Sequence, residues 1–192
     1  MLILLRHGQT TANAQALLQG HIDLPLDQEG TGQAIRCGVH IRSHYPNARV
    51  VSSPLQRARQ TAAAISDDVH IDERFIELNY GDWDGVALHD IDQSQWSQWR
   101  NDSHFRPPNG ESLVELDQRV RPALEELIAE ARDADIVVVS HVSPIKSAIT
   151  WALGVGPEVT WRCHLDRASI CRITAGPRGP ALSGFNETAH LL

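Results

Sequence analysis

Three short apolar runs, at 2–5, 49–51 and 136–139, stand out along the chain, and within each the apolar residues follow one another without polar alternation. That pattern belongs to strands buried on both faces, as in a parallel sheet covered by helices. Between the runs the apolar spacing changes to three and four residues, the period of helices that cross from one strand to the next. The two patterns together predict a parallel sheet with crossover helices.

The first helix is predicted over about residues 28–43, capped by Asp27, with Ala34, Ile35 and Val39 on one inward side. A second follows Ser53-Pro54, with Ser53 as cap and Pro54 in the first turn. In the third, Ser112 and Glu115 form a capping box, and Leu113, Leu116, Val120, Leu124, Leu127, Ile128 and Ala131 mark the buried stripe. Pro122 interrupts that stripe and predicts a kink or a restart. The fourth helix has Pro144 in its first turn and Ile145, Ala148, Ile149 and Leu153 inward. Two late strands are expected at 169–174 and 181–185, around a Pro/Gly-rich turn. The stretch 69–110 shows neither period and is rich in Asp, Gly, Trp and Pro, a composition suited to ligand-contacting loops.

Composition narrows the possibilities. At 192 residues, with 42% hydrophobic and 21% charged residues, the sequence suits one compact domain over 1–192. A formal charge of −7 counts against a nucleic-acid or anionic-membrane partner, both of which reward a basic face. A small anion is compatible, because a pocket can be positive on an acidic protein. The opening Met1-Leu2-Ile3-Leu4-Leu5 lacks a preceding basic stretch and meets Arg6 too soon for a secretory leader or a membrane helix. Cys37, Cys163 and Cys171 are an odd count without Cys-x-x-Cys spacing. They suggest neither a disulfide framework nor a zinc site, and a cytoplasmic location is expected.

The candidate chemistry lies where the apolar runs end. Arg6-His7 follows the first run, Ser52-Ser53-Pro54 the second with Arg57 a turn later, and Ser140-His141 the third. Carboxyl ends of strands in an open parallel sheet share one edge, where ligands bind. Arg6, His7, Arg57 and His141 can therefore meet. Such a cluster would concentrate positive charge unless an anion sat within it, and phosphate meets that need through bidentate guanidinium contacts and helix amides near Val142 and Pro54. Imidazole adds a nitrogen able to carry a phosphoryl group.

These residues fall in longer motifs. Leu4-Leu5-Arg6-His7-Gly8-Gln9-Thr10 resembles the signature of the histidine phosphatase superfamily, also called phosphoglycerate mutase-like. Ser52-Ser53-Pro54-Leu55-Gln56-Arg57-Ala58-Arg59 resembles its second motif, the segment from Glu77-Leu78-Asn79-Tyr80-Gly81 to Gly85 its third, and Val139-Ser140-His141 its last. The resemblance implies a three-layer α/β/α sandwich with a mostly parallel central sheet. It implies a phosphomonoester phosphatase in which His7 is phosphorylated, Arg6, Arg57 and His141 hold the phosphoryl oxygens, and Glu77 protonates the leaving oxygen. Asn13 stands where the family carries a phosphate-contacting polar residue. Gln19 and Gly20 open a segment like the one leading into its first long helix, and join the substrate-binding expectations. No metal or cofactor is implied, and the partner is a small phosphorylated substrate. His7 must be unprotonated at the attacking nitrogen, so its other nitrogen should donate to a nearby acceptor such as a backbone carbonyl.

Asp82 and Asp84 are rival acids with a simpler reading as turn residues around Gly81 and Gly85. Val142 follows His141 where many relatives have Gly, and narrows the pocket entrance. Trp96, Trp99, His104, Phe105 and Arg106 read either as a substrate-selecting lid or as a packing segment. Two other functions stay open: a phosphoglycerate mutase, which returns the phosphoryl group to product, and a noncatalytic phosphate-binding protein. Arg100 and Arg106 are the only basic Arg or Lys between Gly85 and Gly110, and the short chain lacks the longer basic insertions that shield a mutase intermediate, which favours hydrolysis.

Overall fold

The computed structural model describes residues 1–192. Six strands, β1 Leu2–Arg6, β2 Arg49–Ser52, β3 Val69–Ile71, β4 Ile136–Ser140, β5 Ile170–Gly176 and β6 Gly179–Glu187, form one sheet in the order β3-β2-β4-β1-β5-β6. The first four of that order run parallel, whereas β5 is antiparallel to β1 and pairs with β6 as a hairpin. Register sets Leu5 and Ser52 on either side of Val139. The three parallel strands therefore end nearly level, and the polar residues that follow them start from one edge.

Leu2, Leu4, Ile136 and Val138 face one layer, where α5 (Leu113–Glu130) and α6 (Val142–Leu153) pack. Ile3, Leu5, Val137 and Val139 face the other, against α2 (Gln28–His44) and α3 (Gln56–Ala63). Covering both faces is what requires the unbroken apolar runs, each fully buried side chain stabilising the fold by about 1.5–3 kcal/mol. The result is a three-layer α/β/α sandwich with a mostly parallel sheet. No helix is long and apolar enough to cross a membrane.

Several local expectations are corrected. On α2 the buried stripe is Gly30, Ala34, Cys37, Gly38 and Ile41, while Ile35 and Val39 are each 58% exposed. The helix backbone lies hard against its neighbours: a Cβ on Gly30 would come within 2.0 Å of the Gln9 carbonyl oxygen, and one on Gly38 within 2.1 Å of that of Ala64. At Gly30 and Gly38 a larger residue has no room, whereas Ile41 further along the stripe is fully buried. Helix α3 starts at Gln56 rather than at Ser53, with Asp23 Oδ1 accepting the Gln56 amide at 2.6 Å. Leu153, the last residue of α6, is 49% exposed. Helix α5 runs through Pro122 without a restart; Pro122 and Gln118 are both on the solvent face, so water reaches the carbonyl that lacks a donor. Not anticipated were the four-residue helix α1 at Thr11–Ala14, the three-residue β3 and a helix at Gln93–Asn101, called α4.

Candidate functional site

His7 lies one residue past β1, with its backbone amide donating to the Ser140 carbonyl at 3.0 Å. Its ring is buried, and Nδ1 lies 2.6 Å from the Gly8 carbonyl oxygen. A carbonyl accepts only, so the proton sits on Nδ1 and Nε2 keeps its lone pair. Burial, followed by the charges of Arg57 and Arg6, holds the His7 pKa well below the ordinary imidazole value. His141 N-caps α6 and stands beside His7, ring centroids 4.9 Å apart. Arg57 Nε donates to His141 Nδ1 at 3.2 Å, which leaves the His141 proton on Nε2, donated to Ser53 Oγ at 2.7 Å. Its pKa is likewise depressed, by burial first and then by Arg57. Two neutral rings therefore sit among the arginines, and the charge crowding anticipated from four cationic side chains reduces to that of Arg6 and Arg57.

Arg57 is fully buried and binds protein on three sides. Beyond His141 it donates through Nη1 to the Ile22 carbonyl at 3.0 Å and through Nη2 to those of Gly20 at 2.8 Å and Gln19 at 3.4 Å. From outside, the Asp84 carboxylate accepts the amides of Gly20 at 2.7 Å, His21 at 2.8 Å and Ile22 at 2.8 Å. The loop 19–22 is thus strapped between an arginine and an aspartate. Gly20 serves this strap through its backbone, and Asp84 is a loop-holding residue rather than a proton donor to a ligand.

A cavity of about 300 Å³ opens in front of His7. Arg6, His7, Asn13, Gln19 and Glu77 line it, with Tyr80, Val142, Ser143, Lys146 and a wall of Trp96, Trp99 and Trp161. Arg57, His141 and Gly20 are not among the lining residues. Glu77 is buried, and its Oε1 accepts the amides of Leu78 at 2.7 Å and Ser143 at 3.1 Å. The second of these caps a first-turn amide of α6 that has no intrahelical acceptor, and only Oε1 is engaged, so Oε2 is free for other work. Arg6 donates through Nη1 to the Leu165 carbonyl at 2.6 Å, while its buried Nε has no partner within the chain. Burial lowers its pKa to about 10, still cationic at neutral pH. Asn13 and Gln19 brace each other: Thr10 Oγ1 donates to Gln19 Oε1 at 2.6 Å, and Asn13 Nδ2 reaches the same oxygen at 3.5 Å.

The pattern that describes the histidine phosphatase superfamily (branch 1) matches residues 2–188. The chain belongs to that superfamily.

Among curated relatives, a bifunctional protein of Mycobacterium tuberculosis is 36% identical over 88% of this chain and 48% of its own length. The chain thus spans about half the length of the first such relatives it matches. A glucosyl-3-phosphoglycerate phosphatase of Mycolicibacterium vanbaalenii is 35% identical, covering 83% of this chain and 76% of its own. A solved mutant phosphoserine phosphatase from Entamoeba histolytica, in complex with phosphoserine, superposes with a TM-score of 0.91 at 28% identity, covering 100% of this chain and 98% of its own.

In this histidine phosphatase the aromatic segment divides between the two readings given to it. Trp96 and Trp99 line the cavity, whereas Phe105 packs on Trp83 with centroids 5.9 Å apart. His104 and Arg106 are not among the lining residues, and Arg106 pairs with Glu115 at the start of α5. Asp82, the other rival acid, accepts from Asn109 at the surface. Tyr80, Ser143, Trp161 and Lys146 line the cavity without having stood out as site residues in the sequence. Tyr80 and Ser143 flank motif residues, and Lys146 carries a signal of its own, being the only lysine in the chain.

Proposed function

We propose that this histidine phosphatase is a phosphomonoesterase that moves the phosphoryl group of a small phosphorylated metabolite to His7 Nε2 and then to water. One observation carries the reading. The Nδ1 bond to Gly8 and the depressed pKa supply a neutral imidazole with its Nε2 lone pair available beside the cavity.

The Nε2 lone pair attacks phosphorus as the ester P–O bond breaks, and Glu77 Oε2 delivers a proton to the departing oxygen. Arg6 holds the phosphoryl oxygens from within the cavity, with its otherwise unpartnered Nε as one donor. Arg57 adds charge from outside the cavity lining, and His141 reaches the phosphoryl group by redirecting its Nε2–H from Ser53. Asn13 and Gln19 set the cavity wall beside it, and Gly20 acts through the loop that seats Arg57. In the second half-reaction water attacks phosphorus, Glu77 takes its proton, and the N–P electron pair returns to His7. The relatives named as phosphatases support water as acceptor. Three free cysteines fit a reducing compartment such as the cytoplasm.

The test is rapid mixing with a panel of phosphomonoesters, followed by quenching in mild base and mass analysis. Phosphate release with transient mass added at His7 is expected. Isomerised phosphoglycerate accumulating faster than phosphate would overturn water as the acceptor, and absence of both products would overturn catalysis.

A further inference from the structure

Sixteen arginines and a single lysine make up the chain's 17 basic residues. Seven of the arginines pair with carboxylates, mostly on the surface. Lys146 does the opposite. It projects from the second turn of α6, is half-buried, lines the same cavity as Arg6, His7 and Glu77, and joins no ion pair or side-chain hydrogen bond in the protein. Burial pulls its amine pKa below the ordinary lysine value, the mark of an ammonium partly stripped of water. Glu77 is the one carboxylate among the lining residues; its charge acts on Lys146 against the effect of burial, but the two form no ion pair, and its Oε1 already serves Leu78 and Ser143. Trp96, Trp99, Trp161 and Thr160 line the same cavity and contribute no charge.

An isolated ammonium on an apolar wall is costly unless something in the cavity answers it. A phosphate dianion calls for several donors and a fork-shaped partner, which Arg6 offers and a lysine does not. A monoanion needs one point charge. The cavity volume, about 300 Å³, lies at the small end for ligand sites, and suits a short molecule with an anion at each end.

We propose that Lys146 and the Trp96–Trp99–Trp161 wall form a carboxylate subsite, so that the substrates are phosphate esters of small hydroxy or amino acids. The subsite rests on the phosphomonoesterase reading above. The ester phosphate faces His7 and Arg6, while the carboxylate meets Lys146 across the cavity. Lys146 acts as a specificity-determining residue, and the chemistry at phosphorus does not depend on it.

Matched esters isolate the carboxylate: 3-phosphoglycerate against glycerol 3-phosphate, and O-phosphoserine against O-phosphoethanolamine. The native enzyme is expected to favour the acid of at least one pair. Lys146→Met should raise KM for that acid about tenfold or more, the loss typical of one charge-assisted bond, with the decarboxylated partner unchanged within about twofold. Lys146→Arg should keep most of the preference. Equal losses on both members of a pair, or an unchanged preference in Lys146→Met, would overturn the subsite.

A binding arm separates this question from catalysis. Lys146 carries the only side-chain amine, so reductive methylation followed by peptide mass analysis reads it directly. In His7→Ala protein, the favoured acid should protect Lys146 and its decarboxylated partner should not. Protection without turnover by the native enzyme on any ester would overturn the phosphatase reading and leave the subsite standing. Turnover without protection by either acid would overturn the subsite alone.

Discussion

At the His7 end of the cavity, His7 itself and the non-lining His141 and Arg57 commit nearly every donor and acceptor to other protein groups: Gly8, Ser53 and the carbonyls of loop 19–22. On its aromatic wall Trp96, Trp99 and Trp161 meet edge to face, with centroids 4.7 to 6.0 Å apart, and the unpaired Lys146 lines the same cavity. The first region is positioned by hydrogen bonds, each with a required direction, and tolerates little displacement before a buried group loses its partner. The second is positioned by packing, where shape matters more than orientation. A phosphoryl-transfer step needs fixed geometry, and recognition of a variable group does not. Under the proposed phosphatase reading, the contrast assigns chemistry and selectivity to separable parts of one small cavity.

Substitutions at the polar end should test that separation most severely. His7→Ala is expected to lower kcat by roughly 10³-fold or more, measured as phosphate release at saturating ester, because no neighbouring ring offers a free lone pair. Full activity in that variant would remove the nucleophile. Glu77→Gln is expected to lower kcat by roughly 10² to 10³-fold on alkyl esters, and by much less on an aryl ester whose leaving group needs no proton. Equal losses on both ester types would assign Glu77 to positioning through Ser143 instead of proton transfer.

The burial of two neutral histidines gives a pH signature. Their folded-state pKa values lie below the unfolded value of about 6.5, so the unfolded chain takes up protons first. Stability should accordingly fall as pH drops below about 6.5, by up to about 1.4 kcal/mol per pH unit for each ring, until the folded values are reached. Urea unfolding at pH 7.5, 6.5 and 5.5 measures it. A flat profile would mean that one or both rings are charged in the native state. The smallest effect belongs to the aromatic end: Trp96→Leu should change KM by about two- to tenfold and kcat by less than about twofold. A fall in kcat matching that of Glu77→Gln would erase the distinction between the ends.

Much of the polar end was legible in the sequence because strand ends are legible. Unbroken apolar runs at 2–5 and 136–139 could only be doubly covered strands, and level strand ends bring Arg6-His7 and His141 together. The Ser112–Glu115 capping box was readable for the same local reason and is present with both bonds. What was not readable depends on the distance between backbones. Ile35 and Val39 looked like a core face, but the close backbone approaches at Gly30 and Gly38 set the buried stripe on Gly30, Ala34, Cys37, Gly38 and Ile41 instead. Helix α4 has few apolar positions, and its inward face is made by two tryptophans within a polar sequence. Arg57 was expected to hold phosphate, and its grip on loop 19–22 was invisible because those carbonyls approach it only in the folded chain. Lys146 showed no pattern at all, only its singularity.

The strap over loop 19–22 gives a surface segment the dynamics of an interior one. His21 and Ile22 are exposed to solvent, yet their amides end on Asp84 rather than on water. Exposure alone would let such amides trade hydrogen with solvent freely, whereas here exchange must wait for Asp84 to release the loop. Release also uncovers the carbonyls that fix Arg57. Slow exchange is therefore expected to extend outward from the core through one carboxylate, to the outside of loop 19–22.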